Sequence, residues 1–126
     1  MLVDFMQSHG FYNDLVEKNK IKEIKLDCLK FLNENKEENY FGNISEHVNN
    51  LEKLINPKIS KKISQLLDHP SPELAAIELH VQKAKCEEIP PHQDNFYHQV
   101  HPLESLKILI PLQELNTKKG GLLFLD

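Results

Sequence analysis

His92 and Asp94, one residue apart in Pro90-Pro91-His92-Gln93-Asp94, are the pair of residues best suited to chemistry. On an extended backbone the side chains at i and i+2 point to the same face. An imidazole nitrogen and a carboxylate oxygen can therefore converge on one ion, as two of the three ligands in the two-histidine, one-carboxylate arrangement of non-heme iron(II). The carboxylate offsets part of the ferrous charge and the imidazole is a borderline ligand for it. The tripeptide alone also fits a surface histidine beside a turn-forming aspartate. Four of the seven histidines, His80, His92, His98 and His101, fall in the last half of the chain, and Ile89–His101 is its densest chemical stretch. His80 shares its strand face with Glu78 and Gln82. His98 and His101 read as surface or supporting residues.

The surroundings of the pair sharpen this. The stretch Ile89-Pro90-Pro91-His92-Gln93-Asp94-Asn95-Phe96-Tyr97 resembles the iron-binding segment of the phytanoyl-CoA dioxygenase family, in which a His-Gln-Asp block is followed by aromatic residues. Ser105–Leu115 resembles the family's next core strand. Lys118–Leu125 resembles its glycine turn and following strand. Three blocks agree in order and spacing, over roughly residues 74–126.

The resemblance implies a jelly-roll oxidoreductase that uses Fe(II) and 2-oxoglutarate with dioxygen to hydroxylate a small organic substrate. It implies His92 and Asp94 as iron ligands, Gln93 near the cosubstrate, and Tyr97 as an aromatic beside the site. A packed core aromatic with a satisfied hydroxyl is an equal reading of Tyr97. The family's third ligand, a histidine, and its arginine for the far carboxylate of 2-oxoglutarate come later, and neither role is assigned within these 126 residues. The expectation is a partial domain, inactive by itself. The alternative, from another class, is a non-catalytic fragment or interaction module that self-associates through exposed strand edges. A cupin-like site for another ion, built on His92, Asp94 and one recruited histidine, is a third reading.

Two kinds of element must position these residues. Apolar residues from Asp4 to about Glu17 keep a rough helical face broken by Gly10. Ile21, Ile24, Cys28, Leu29, Phe31 and Leu32 follow at clearer 3.6-residue spacing, and Asn33–Asn43 reads as a polar loop. Ile44, Val48, Leu51 and Ile55, at i, i+4, i+7 and i+11, predict an amphipathic helix capped by Asn43 or Ser45. Asn56-Pro57 predicts a fresh helix start, with asparagine as N-cap and proline in the first helical position. Ile59, Ile63, Leu66 and Leu67 form its apolar side, and Lys58, Lys61, Lys62 and Gln65 its solvated side. His69-Pro70-Ser71-Pro72 ends the helical half.

The period then falls from 3.6 to 2. Ile77, Leu79 and Val81 alternate with Glu78, His80 and Gln82, as in a strand with one apolar face. Leu106–Leu112 is apolar on both sides, as in a strand covered on both faces, with Pro111 at an edge or strand end. Asn116–Gly121 reads as a turn before a last strand, Leu122–Leu125. The expected fold is α+β: one partial domain over 1–126, with a helical portion at 1–69 and part of a jelly-roll core at 73–126.

Composition narrows the partners. All fifteen basic residues are lysine, so the chain has no guanidinium with which to clamp a carboxylate or phosphate, and it has no tryptophan. A net charge of −4 disfavours nucleic acid. No apolar run approaches the ~18 residues that span a bilayer, and Met1–Phe5 lacks the basic start of an export signal. Cys28 and Cys86 lie far apart and read as reduced thiols. A cytoplasmic protein acting on a small molecule, away from membranes and nucleic acid, is the expectation.

Overall fold

The computed structural model describes residues 12–36, 38, 40–83, 89–90, 105–116 and 118–121. The expected first helix lies largely outside these residues, and the described part of it, 12–17, is not helical.

Helix α1, Lys18–Glu34, takes the register that the apolar spacing dictates. Ile24 and Cys28 are buried, one turn apart, and Phe31 and Leu32 continue their stripe against the core. Opposite charges at i and i+3 line its exposed side, Lys20 with Glu23 at 2.7 Å and Asp27 with Lys30 at 3.1 Å. Such exposed pairs contribute only a few tenths of a kcal/mol each, of order ~0.2–0.5, so burial decides where the helix lies. The end is closed by Asn35, whose side-chain amide donates to the Phe31 carbonyl at 2.9 Å.

The stretch expected as one helix over Ile44–Ile55 is instead two short 3₁₀ helices, Ile44–Glu46 and Leu51–Leu54. Asn43 and Asn50 both adopt left-handed backbone conformations, with φ of 49° and 67°. Asparagine tolerates that region better than most residues, and a left-handed residue at position 50 interrupts any continuous right-handed helix. Asn43 precedes the first 3₁₀ helix but makes no side-chain cap. Of the expected stripe, Ile44, Val48 and Leu51 are buried, but the fourth buried residue is Leu54 rather than Ile55, which stays half-buried.

Helix α2, Pro57–Leu67, begins as its sequence dictates. The Asn56 side-chain oxygen accepts from the backbone N–H of Lys58 at 2.9 Å and of Ile59 at 3.1 Å. Its amide donates to the Leu15 carbonyl at 2.6 Å, tying the helix start to the segment before α1. Ile59 is fully buried, and Lys62 leaves the solvated side to lie over the Tyr12 ring, 4.4 Å from its centre. Asp68, left-handed with φ 48°, stops the helix before His69-Pro70.

Two strands pair antiparallel, β1 (Tyr40–Phe41) and β2 (Leu79–His80), with Tyr40 opposite His80 and Phe41 opposite Leu79. The ladder is extended by the Ile44 N–H, which donates to the Ile77 carbonyl at 2.9 Å. β1 sits inside the stretch expected as a polar loop. Two residues are too short to show a period, and the surrounding charges conceal them.

Ile24, Cys28, Phe41, Ile44, Val48, Leu51 and Leu54 form the core, with Ile77, Leu79, Val81, Ile110 and Leu112 packed against it. Phe31 meets Phe41 edge-on at 5.0 Å and stacks on His47 at 5.5 Å. The expected face of Ile77, Leu79 and Val81 thus points inward.

Residues 105–112 carry no strand, and they are not covered on both sides. Ile110 and Leu112 pack inward while Ile108 and Leu109 are 41 % and 51 % exposed. The Asn116–Gly121 turn is formed: the Asn116 carbonyl accepts from the N–H groups of Lys119 and Gly121, and its side-chain oxygen from that of Lys118. Gly120 has φ 71°, and a Cβ there would run into the Gln82 side-chain amide. The positive φ favours glycine, and a side chain there would also have to displace the flexible end of Gln82. Among the described residues no helix is long and apolar enough to cross a membrane.

Candidate functional site

The ligand pair His92 and Asp94, the neighbouring Gln93 and Tyr97, and also His98, His101 and Cys86, lie outside the described residues. The stretch is approached from Ile89-Pro90 and left at Ser105, and all three are exposed. Among the described residues no group of three His, Cys, Asp or Glu side chains is arranged to hold a metal ion. Described residues do, however, place the partners of His80, the histidine nearest the stretch on its N-terminal side.

The strand register builds this cluster. Tyr40 and His80 face each other across the β1–β2 ladder, and their rings meet edge-on at 4.9 Å. Glu78, two residues before His80, occupies the same face and lies diagonally across from Tyr40, within reach of a long side chain. The Tyr40 hydroxyl donates to Glu78 Oε1 at 2.8 Å. The His80 Nε2 lies 3.4 Å from Glu78 Oε2, and the Lys107 Nζ lies 3.2 Å from the same oxygen. Two segments distant in sequence, carrying Tyr40 and Lys107, therefore converge with His80 on one carboxylate, whose side chain is only 13 % exposed.

Electrostatics follow from those contacts. Burial pushes the Glu78 carboxyl up, but hydrogen bonds from Tyr40, Lys107 and His80, with the Lys107 charge, outweigh it and hold the group below the usual glutamate range. Tyr40 moves the other way. Its hydrogen bond to Glu78 raises the phenol, and burial and the Glu78 charge add to the effect. Glu78 is thus an ionised acceptor at neutral pH and Tyr40 a neutral donor.

Cys28 is a free thiol inside the core. Burial raises its pKa, with the nearby Asp27 charge adding to it, so it is a packing residue rather than a nucleophile. A depression beyond the end of α1 is lined by Asn33, Glu34, Asn35, Lys36 and Glu38. It lacks the apolar walls that enclose small-molecule ligands.

The sequence pointed to His80 and Glu78 as sharing a face. It missed Tyr40 and Lys107, which the strand pairing and the approach of residues 105–112 bring in. The one local signal was an aromatic residue in an otherwise polar stretch.

No family model matches the chain, and no curated protein or solved structure matches it either.

Proposed function

We infer that these residues belong to a non-heme Fe(II)- and 2-oxoglutarate-dependent oxygenase of the phytanoyl-CoA dioxygenase type, acting on a small organic substrate in the cytoplasm. The order and spacing of three blocks carry this reading: the His92-Gln93-Asp94 segment, the apolar run 105–115 and the glycine turn 118–121. Two features of the fold support it. Ile110 and Leu112, like Ile77, Leu79 and Val81, pack against one core, the side on which the reading needs residues 105–112, although no ladder among the described residues joins the two segments. The glycine turn after them redirects the chain where a following strand would begin.

The donor set suits ferrous iron: one neutral imidazole and one carboxylate, without thiolate, leave open positions for a cosubstrate and dioxygen. His92 and Asp94 would hold the metal. Iron held there would let dioxygen, the oxidant, hydroxylate the substrate, with 2-oxoglutarate supplying two of the electrons as it is decarboxylated to succinate. Gln93, between the two ligands in sequence, would contact the cosubstrate, as the resemblance implies. A chain that also supplies a later histidine and a carboxylate-binding cation should consume 2-oxoglutarate in an iron-dependent manner, and His92→Ala should abolish that consumption. Unchanged turnover in the variant contradicts the ligand assignment.

A second reading, an interaction module that pairs with a further copy of itself, is favoured by one observation. Ile108 and Leu109 are exposed on a segment with the composition of a strand.

A further inference from the structure

We propose that residues 105–112 form a strap that opens and closes as a unit over the core built by residues 24–59, with the Glu78–Lys107 ion pair as one catch. The inference stands apart from the iron-site reading and does not depend on it.

The first ground is where burial lies. The buried apolar residues among those described, Ile24, Cys28, Phe41, Ile44, Val48, Leu51, Leu54 and Ile59, fall between positions 24 and 59. Those of the central cluster are contributed by α1, β1 and the two 3₁₀ helices with their connection, and Ile59 comes from α2. The strap adds only partly buried side chains, Leu106, Ile110 and Leu112, and turns Ile108 and Leu109 outward. A segment with this distribution can leave while the remainder keeps its packing, because local opening free energy tracks the apolar contacts that are lost.

The second ground is how the strap is attached. Residues 105–111 belong to no helix and no ladder, so cooperative secondary structure does not lock them to β2. Lys107 fastens the segment by reaching Glu78 Oε2 at 3.2 Å, while Ile110 and Leu112 anchor its far end. The catch is preformed on the sheet side. Tyr40 from β1 and His80 from β2 contact the same carboxylate and hold it on the face that Lys107 approaches. Opening would bare the strap's own apolar residues together with the part of the core on which Ile110 and Leu112 pack.

Native-state hydrogen exchange on the full chain, read residue by residue, tests this. Amides of 105–110 are expected to exchange faster than those of Ile24, Cys28 and Ile59. Glu78→Gln keeps the shape of the side chain and removes its charge. It should speed exchange in the strap about two- to fivefold, the range of a partly exposed ion pair, and leave α1 unchanged. Lys107→Met breaks the catch from the other side, at a half-exposed position that does not endanger folding. It should give the same acceleration, while Lys107→Arg should retain the protection of the parent. Strap amides as slow as those of α1, equal acceleration of strap and helices, or no change in the strap in either charge-removing variant would each overturn the proposal.

Discussion

Glu78 shows how much a single residue can gather. Its carboxylate accepts from a tyrosine, a histidine and a lysine that lie 38, 2 and 29 positions away in the chain. Only the histidine was legible in the sequence, because strand periodicity puts i and i+2 on one face. The other two depend on register and on tertiary approach, which no local pattern encodes. The arrangement has a consequence for acid stability. The folded pKa of Glu78 is lowered from its ordinary 4.5, so its contribution is fully present above that value and fades as pH falls through the lower, folded value. Urea midpoints followed downward from neutral pH should therefore show a loss that begins near the ordinary glutamate value. Glu78→Gln should flatten that part of the profile, and a variant with the parent's profile would show that the carboxylate contributes nothing.

At the scale of elements, the legible parts were those with a period and a punctuation mark. α1 and α2 form where their spacing places them and α2 starts at Asn56-Pro57, although Leu29 and Leu66, expected on the apolar faces, are exposed. Asn56→Ala removes the acceptor for two backbone N–H groups and the amide bond to Leu15. It should lower stability by about 1 kcal/mol, the usual cost of a lost N-cap, measurable as a lower denaturant midpoint with unchanged slope. A loss under a few tenths would mean that the tie to Leu15 and the cap are both dispensable. The stretch Ile44–Ile55 shows why a period alone misleads. Its apolar residues recur at helical spacing and do meet the core, yet Asn50 turns left-handed and splits the segment into two 3₁₀ helices. The hydrophobic pattern specifies which side is buried; the asparagines specify the backbone that buries it. β1 was invisible for the opposite reason, since its two residues carry no period and their partners lie 40 and 38 positions on.

At the scale of the whole molecule, the buried core among the described residues comes from positions 24–59, and the segment suited to chemistry lies later in the sequence. The jelly-roll expectation for 73–126 rests on motif order, and it is the part of the fold that periodicity leaves open, because barrel closure depends on long-range pairing. The exposed Ile108 and Leu109 bear on assembly. If the strap region pairs with a second copy, the mass seen by size-exclusion chromatography with light scattering should rise with concentration, and Leu109→Lys should restore the monomer. A monomer throughout the range would exclude the self-association reading. The absence of arginine also acts at this scale. Any carboxylate of a cosubstrate held by these residues must be met by lysine or by neutral donors.

The iron assignment is tested by where the metal goes. Anaerobic titration of Fe(II) into the chain, followed by paramagnetic broadening of assigned NMR resonances, reports the location directly. Broadening centred on His92 and Asp94, and lost in both His92→Ala and Asp94→Ala, is the predicted result. Broadening centred instead on Glu78 and His80, or none at all, would contradict it.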